Sequence, residues 1–167
     1  MKKFRNSLAV LFFFLFWHSL MMSQKNQAKP DERVKTQLER LGLKYTLSET
    51  GNFKVVFDMG NERTQLVVVN SNTYELGSQE IRELYSVAAL FNSPDEMSKD
   101  LLFKLLELNE TYKIGAWQIN GGKSPYLVQF AVRLSASAPD KALDELIRLA
   151  AGKADEMELE LTQKDDF

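Results

Sequence analysis

The sequence predicts an α+β domain in which three helices cover one face of an antiparallel sheet of about five or six strands, in the order α-β-β-β-β-α-β-β-α. Three observations carry this expectation. Apolar residues recur at helical spacing in three separated segments, alternating or β-branched runs broken by Gly and Asn lie between them, and 167 residues at 44% hydrophobic and 26% charged suffice for one ordinary core.

The chain opens with a segment of another kind. MKKFRNS carries Lys2, Lys3 and Arg5, the apolar run LAVLFFFLFW spans 8–17, and polar SQKNQAKPDE follows. That is the layout of an export signal over 1–23. A buried N-terminal helix is the alternative, but the run offers no polar face to solvent. Cleavage after Ser23 would place Met21 where small side chains are preferred, so a retained anchor stays open. Even extended to Met22 the run is only about 15 residues and contains His18 and Ser19, short for a span of roughly 20. In either case the basic head stays in the cytoplasm and the remainder is exported, periplasmic or secreted, with membrane contact only through an uncleaved leader. Residues 24–30, ending in Pro30, suit a linker.

From Asp31 the pattern becomes globular. Val34, Leu38 and Leu41 fall at helical spacing, with acids in the first turn and Gly42 as a stop. Strands are expected at 43–48, 53–58 and 63–70, separated by turns in which Gly51 and the Gly60-Asn61 pair supply positive φ. SNTYELGS reads as a turn, and 80–90 as a fourth strand. Ser93-Pro94-Asp95-Glu96 has the form of a capping box and predicts a helix start. Met97, Leu101, Leu105 and Leu108, flanked by Leu102 and Leu106, form its apolar stripe, and Asn109 is the expected end. IGAWQIN, NGGK and SPYLVQFAVRLSA make a hairpin, with Gly115 and Ala116 marking a close approach, expected from the preceding helix, and Trp117 sealing the corner. A last helix from Pro139 to about Leu161 has Ser137 as its candidate cap and Gly152 as a bend or early stop.

This order, with LLELNETYKIGAWQI at the junction of the second helix and fifth strand, resembles the YbjN-like bacterial family, whose fold is similar to that of type III secretion chaperones. The resemblance covers roughly residues 31–162. It rests on Leu105, Leu106, Glu107, Leu108 and Asn109 and on Gly115, Ala116 and Trp117. It implies a non-enzymatic protein tied to regulation or to binding other proteins. Its structural corner would be Leu105, Leu108, Asn109, Gly115, Ala116 and Trp117, and it brings no catalytic, cofactor or metal residues. An export signal departs from it and argues against a cytosolic role.

The residue inventory narrows the chemistry. There is no cysteine, and the single histidine, His18, lies in the leader, so an exported part could assemble neither a Ser-His-Asp triad nor a thiolate or imidazole metal site. Without the leader's three basic residues, 18 basic face 23 acidic residues, a balance of minus 5 that argues against nucleic acid as a partner.

Individual motifs have plain readings beside the functional ones. NGGK at 120–123 lacks P-loop spacing and reads as a turn. Asn109-Glu110-Thr111 matches a glycan acceptor where the fold wants a cap. Glu156, Glu158 and Glu160 are expected on a solvated helix face rather than around calcium, and Asp165 and Asp166 in a fraying acidic tail at 163–167. Glu80 and Glu83, candidates for a hydrolytic carboxylate pair, should point to opposite faces of a strand. Tyr112, Trp117, Tyr126 and Phe130 are expected in the core. Exposed together, they would mark a groove for protein or peptide.

The expected function is therefore an exported, non-catalytic, chaperone-like module that binds a protein or peptide, with homodimerisation through a sheet face or helix allowed. The alternatives are a hydrolase using carboxylates or Lys, and a small-molecule carrier.

Overall fold

A computed structural model describes residues 29–167. The leader read at 1–23 lies outside the described residues. Helix α1 (Glu32–Arg40) is followed by β1 (Thr46–Leu47), β2 (Phe53–Gly60), β3 (Arg63–Leu76) and β4 (Gln79–Phe91), then α2 (Lys99–Thr111), β5 (Ala116–Asn120), β6 (Tyr126–Ser135) and α3 (Asp140–Thr162). The six strands form one sheet in the order β1-β2-β3-β4-β6-β5, with every pairing antiparallel. The predicted element order and fold class are those of the molecule.

Alternation explains why one face of the sheet is dry. Phe53 and Val55 of β2, Val67 and Val69 of β3, Leu84 of β4, and Val128, Phe130 and Val132 of β6 are buried together against Val34 and Leu38 of α1, Leu101 and Leu105 of α2, and Leu143, Ile147, Ala150 and Ala154 of α3. The long α3 packs across β4, β3 and β6. All three helices therefore serve one core on one side.

A buried cation organises the start of the domain. Arg82 on β4 is 2% exposed and is the largest fully buried side chain. Its guanidinium donates to the carbonyls of Asn70 and Ser71 at 2.5 and 3.0 Å and to the Asp31 carboxylate at 2.6 Å. Asp31 is also the N-cap of α1, accepting from the backbone of Arg33 at 2.8 Å. Burial alone would raise the Asp31 pKa, but the hydrogen bonds from Arg33 and Arg82 outweigh it and hold the carboxyl well below the usual range. Arg33 extends the network to Glu80, pulling that carboxyl down to about 2, with help from Thr73.

Several boundaries differ from expectation, each for a local reason. The first strand contracts from 43–48 to Thr46–Leu47, while Leu43 and Tyr45 pack against the core. Residues 71–76, read as a turn, prolong β3: between Val69↔Leu84 and Thr73↔Arg82 the strand carries extra residues as a bulge, and the bulge carbonyls are those that Arg82 holds. The Ser93 box forms only a short 3-10 turn at Pro94–Glu96, in which Glu96 accepts from the backbone of Asn92. Ser98 caps α2 instead, accepting from Leu101. Neither Ser137 nor another side chain caps α3, and the helix runs through Gly152 without stopping.

The 105–117 corner also departs from the reading. Asn109 does not end α2, which continues to Thr111. Its carboxamide reaches β5, accepting from the Trp117 N–H at 2.7 Å and donating to the Trp117 carbonyl at 3.1 Å, so a side chain takes the place of a neighbouring strand on the sheet edge. The close approach at Gly115 comes from β6 rather than the helix: a Cβ there would lie 2.5 Å from the Phe130 ring, and φ is +78°. Leu105 is buried and Leu108 partly so, whereas Leu106 is 67% exposed and falls outside the stripe. Trp117 and Tyr112 both meet Phe130 edge-on, with ring centroids at 5.4 and 5.1 Å.

Asp31→Ala should cost about 3 kcal/mol or more at neutral pH, because it strands the Arg82 charge in the core. Since the folded Asp31 carboxyl titrates below its unfolded value of 3.8, the pair's contribution is whole above that value and is lost as pH falls through the lower folded one. Urea titrations of both proteins at pH 7 and pH 2 should thus show a wide stability gap that narrows in acid. Gly115→Ala should cost about 1–3 kcal/mol in the same assay, since Phe130 must move and the new residue keeps a positive φ.

Candidate functional site

Among the described residues, no helix covers the other face of the sheet. In an antiparallel sheet with one solvated side, outward positions are normally polar. Here the centre is apolar. Leu66 and Val68 of β3, Tyr85 and Val87 of β4, and Leu127 of β6 project outward and are partly buried by one another, with Val56 of β2 at 61% and Leu90 of β4 at 50% exposure beside them. Gln129 lies among them, in register with Val87 and Gln118, and is fully buried with neither amide atom hydrogen-bonded to the protein.

A polar margin bounds this apolar centre on the β5 side. Glu83 and Arg133, paired in register, form a 2.7 Å ion pair, and Arg133 also donates to the Gln118 carboxamide at 3.3 Å. With Asn70, Tyr74, Tyr85, Ile119 and Asn120 these residues line an open cleft of about 590 Å³. Tyr85 is more than half enclosed. Burial, reinforced by the adjacent Glu83 charge, raises its phenol pKa. The cleft is electrically balanced: its one acid and one base neutralise each other.

The other sequence candidates disperse. Glu80 faces the helices, bound to Arg33, and Glu83 faces the open side, bound to Arg133, so the two carboxylates do not converge. Glu156 pairs with Lys153 and Glu160 with Lys104, but Glu158 is fully buried, contrary to the solvated face expected. The carboxylate of Glu158 lies 3.4 Å from Arg63 and accepts from the Asp166 N–H at 2.6 Å. Burial pushes its pKa up despite these partners. Residues 164–167 do not trail away as the acidic tail expected, but are bonded back onto β3. The four aromatics divide: Trp117 and Phe130 are buried, Tyr112 and Tyr126 partly so, and they form no exposed patch.

Sequence reasoning missed the outward apolar set. Its signal is Leu66-Val67-Val68-Val69, four consecutive apolar residues where a strand buried on one side needs only two. That pattern describes a strand with apolar surroundings on both sides.

No family model matches the chain, and no curated protein matches it. Among solved structures it is similar to YbjN from E. coli, described there as a candidate transcription regulator, at 12% identity over 78% of this chain and 89% of that one, with a TM-score of 0.49.

The open face should tolerate change that the core does not. Val56→Ala is expected to alter stability by less than about 0.5 kcal/mol, and Val67→Ala, one strand over on the dry face, to cost about 2 kcal/mol. Denaturant midpoints for the two variants check this.

Proposed function

We propose that the chain is an exported, non-catalytic module that binds a protein or peptide on the uncovered face of its sheet. The observation that carries the reading is the outward set Val56, Leu66, Val68, Val87, Leu90 and Leu127, an apolar field with a polar margin. Such fields on otherwise polar surfaces mark interaction sites. Tyr85, Tyr74 and Arg133 along the margin are residue types enriched among the energetic anchors of interfaces. The balanced charge of the margin suits a neutral polypeptide surface better than a nucleic acid.

A non-catalytic role is supported by the inventory and the pairing. The only histidine lies in the leader and cysteine is absent. In the cleft the sole carboxylate, Glu83, is engaged by Arg133, whereas a hydrolase requires two convergent titratable groups free to act. The size of the cleft supports a second reading, a small-molecule carrier, because it falls within the range common for ligand sites. Export is supported by the basic head and apolar run at 1–17.

Two experiments test these readings. A photo-reactive amino acid replacing Val68 should yield a discrete adduct in the native envelope fraction that the same group at exposed Lys141 does not. Val68→Asp should then weaken the captured partner about tenfold or more, as expected for a charge set in an apolar contact. An adduct pattern identical at both positions would remove the sheet-face reading. For export, intact-mass measurement of the protein from that fraction should give a chain beginning at Gln24, and recovery only from the cytoplasm with Met1 retained would contradict it.

A further inference from the structure

Beside β3 the sheet is split, and residues of the chain's own tail fill the split. β3 pairs with β4 only from Val67↔Ser86 onward, because the bulge at Val87/Ala89 carries β4 away. Among the described residues, no strand therefore pairs with Arg63–Leu66 on that side. Residues 164–167 lie alongside it in parallel register. The Arg63 guanidinium donates to the Lys164 carbonyl at 2.6 Å, the Thr64 N–H to the Asp165 carboxylate at 3.0 Å, and the Leu66 N–H to the Phe167 carbonyl at 3.0 Å. On the opposite flank Glu158 accepts the Asp166 N–H.

Slot and occupant are unequal in firmness. The slot is carried by regular elements: Arg63 on β3 is fixed by Asp155 of α3 at 2.8 Å, and Glu158 on α3, fully buried with the tail in place, lies beside it. The occupant is held mainly by hydrogen bonds, with Gln163 to Asp166 exposed. It is reached through a left-handed Gln163 at φ +55°, a conformation that is costly for a residue with a side chain. Segments with few buried apolar contacts open at low free energy. Opening this one uncovers the Thr64 and Leu66 N–H groups, one edge of the Arg63 guanidinium and one oxygen of the Glu158 carboxylate, while Arg63 stays paired with Asp155. Such a set recognises main chain at three points, matching Lys164, Asp166 and Phe167, and one short carboxylate or carboxamide side chain at the position of Asp165.

We propose that this slot is a second polypeptide-binding site, distinct from the sheet face, for an extended segment running parallel to β3 with Asp or Asn at the position of Asp165. The chain's own tail is its resting pseudo-ligand. An incoming segment reproduces the same bonds but competes with an occupant tethered beside the slot, so weakening the tail's own bonds should expose the site.

The test uses the full chain and a fluorescent peptide of sequence TQKDDF, with anisotropy as readout. Asp165→Ala, which removes the tail's hold on Thr64, should bind the peptide about tenfold more tightly than the unaltered chain, a gain of roughly 1.4 kcal/mol. A peptide N-methylated at the residue matching Asp166, unable to donate to Glu158, should lose that binding, and circular dichroism checks that the variant is folded. Equal binding by the two proteins, no binding by a folded Asp165→Ala chain, or equal binding of the N-methylated peptide would overturn the proposal. Adding Val68→Asp separates the two sites. Unchanged peptide binding upholds the slot, and lost binding places the peptide on the sheet face and sinks the slot alone.

Discussion

Burying Arg82 between the start of α1 and the β3 bulge imposes conditions that the rest of the structure meets. A guanidinium out of water requires fixed acceptors on each of its edges, and the domain supplies them from two distant parts of the chain: the carbonyls of the β3 bulge and the carboxylate that caps α1. The same carboxylate cannot serve both Arg82 and the helix end unless α1 starts at that spot. The bulge cannot relax into regular pairing without withdrawing its carbonyls. Helix placement, strand irregularity and the course of the long β3–β4 hairpin thus follow from satisfying one charge.

That arrangement puts every helix among the described residues on one side. α1 is drawn to the Arg82 face, α3 fills the space beside it, and α2 closes the far edge through Trp117 and Asn109. The sheet keeps a second surface whose central residues are as apolar as a core, and no segment among the described residues covers it. Val56 and Leu90 are its most exposed members, and the proposed binding role rests on them. That face is the remainder left when one core has been completed.

The large features were legible because periodicity reports them directly. Val34 and Leu38, Leu101 and Leu105, and Leu143, Ile147, Ala150 and Ala154 each repeat at helical spacing and are buried, and Val128, Phe130 and Val132 alternate as a strand should. What failed was local and depended on distant partners. Ser93 has the sequence of a cap, yet Ser98 wins because the chain must first turn through Pro94–Glu96. Asn109 looks like a terminator until β5 arrives to bind it, and Glu158 looks solvated until Arg63, 95 positions earlier in sequence, covers it. The open face was readable in principle from the unbroken Leu66–Val69 run, and the tail slot was not, since it exists only where a bulge parts two strands.

The fixed position of Asp31 also gives the molecule a polarity. Its N–H donates to the Ser71 hydroxyl at 3.1 Å, which pins the point where the preceding polypeptide joins the domain to the distal stretch of β3. Thr64 lies seven residues back along that strand, roughly 23 Å away at the usual rise. The chain therefore enters the domain at one pole of β3 and its last residues fill the split at the other, so the two can be altered independently of each other.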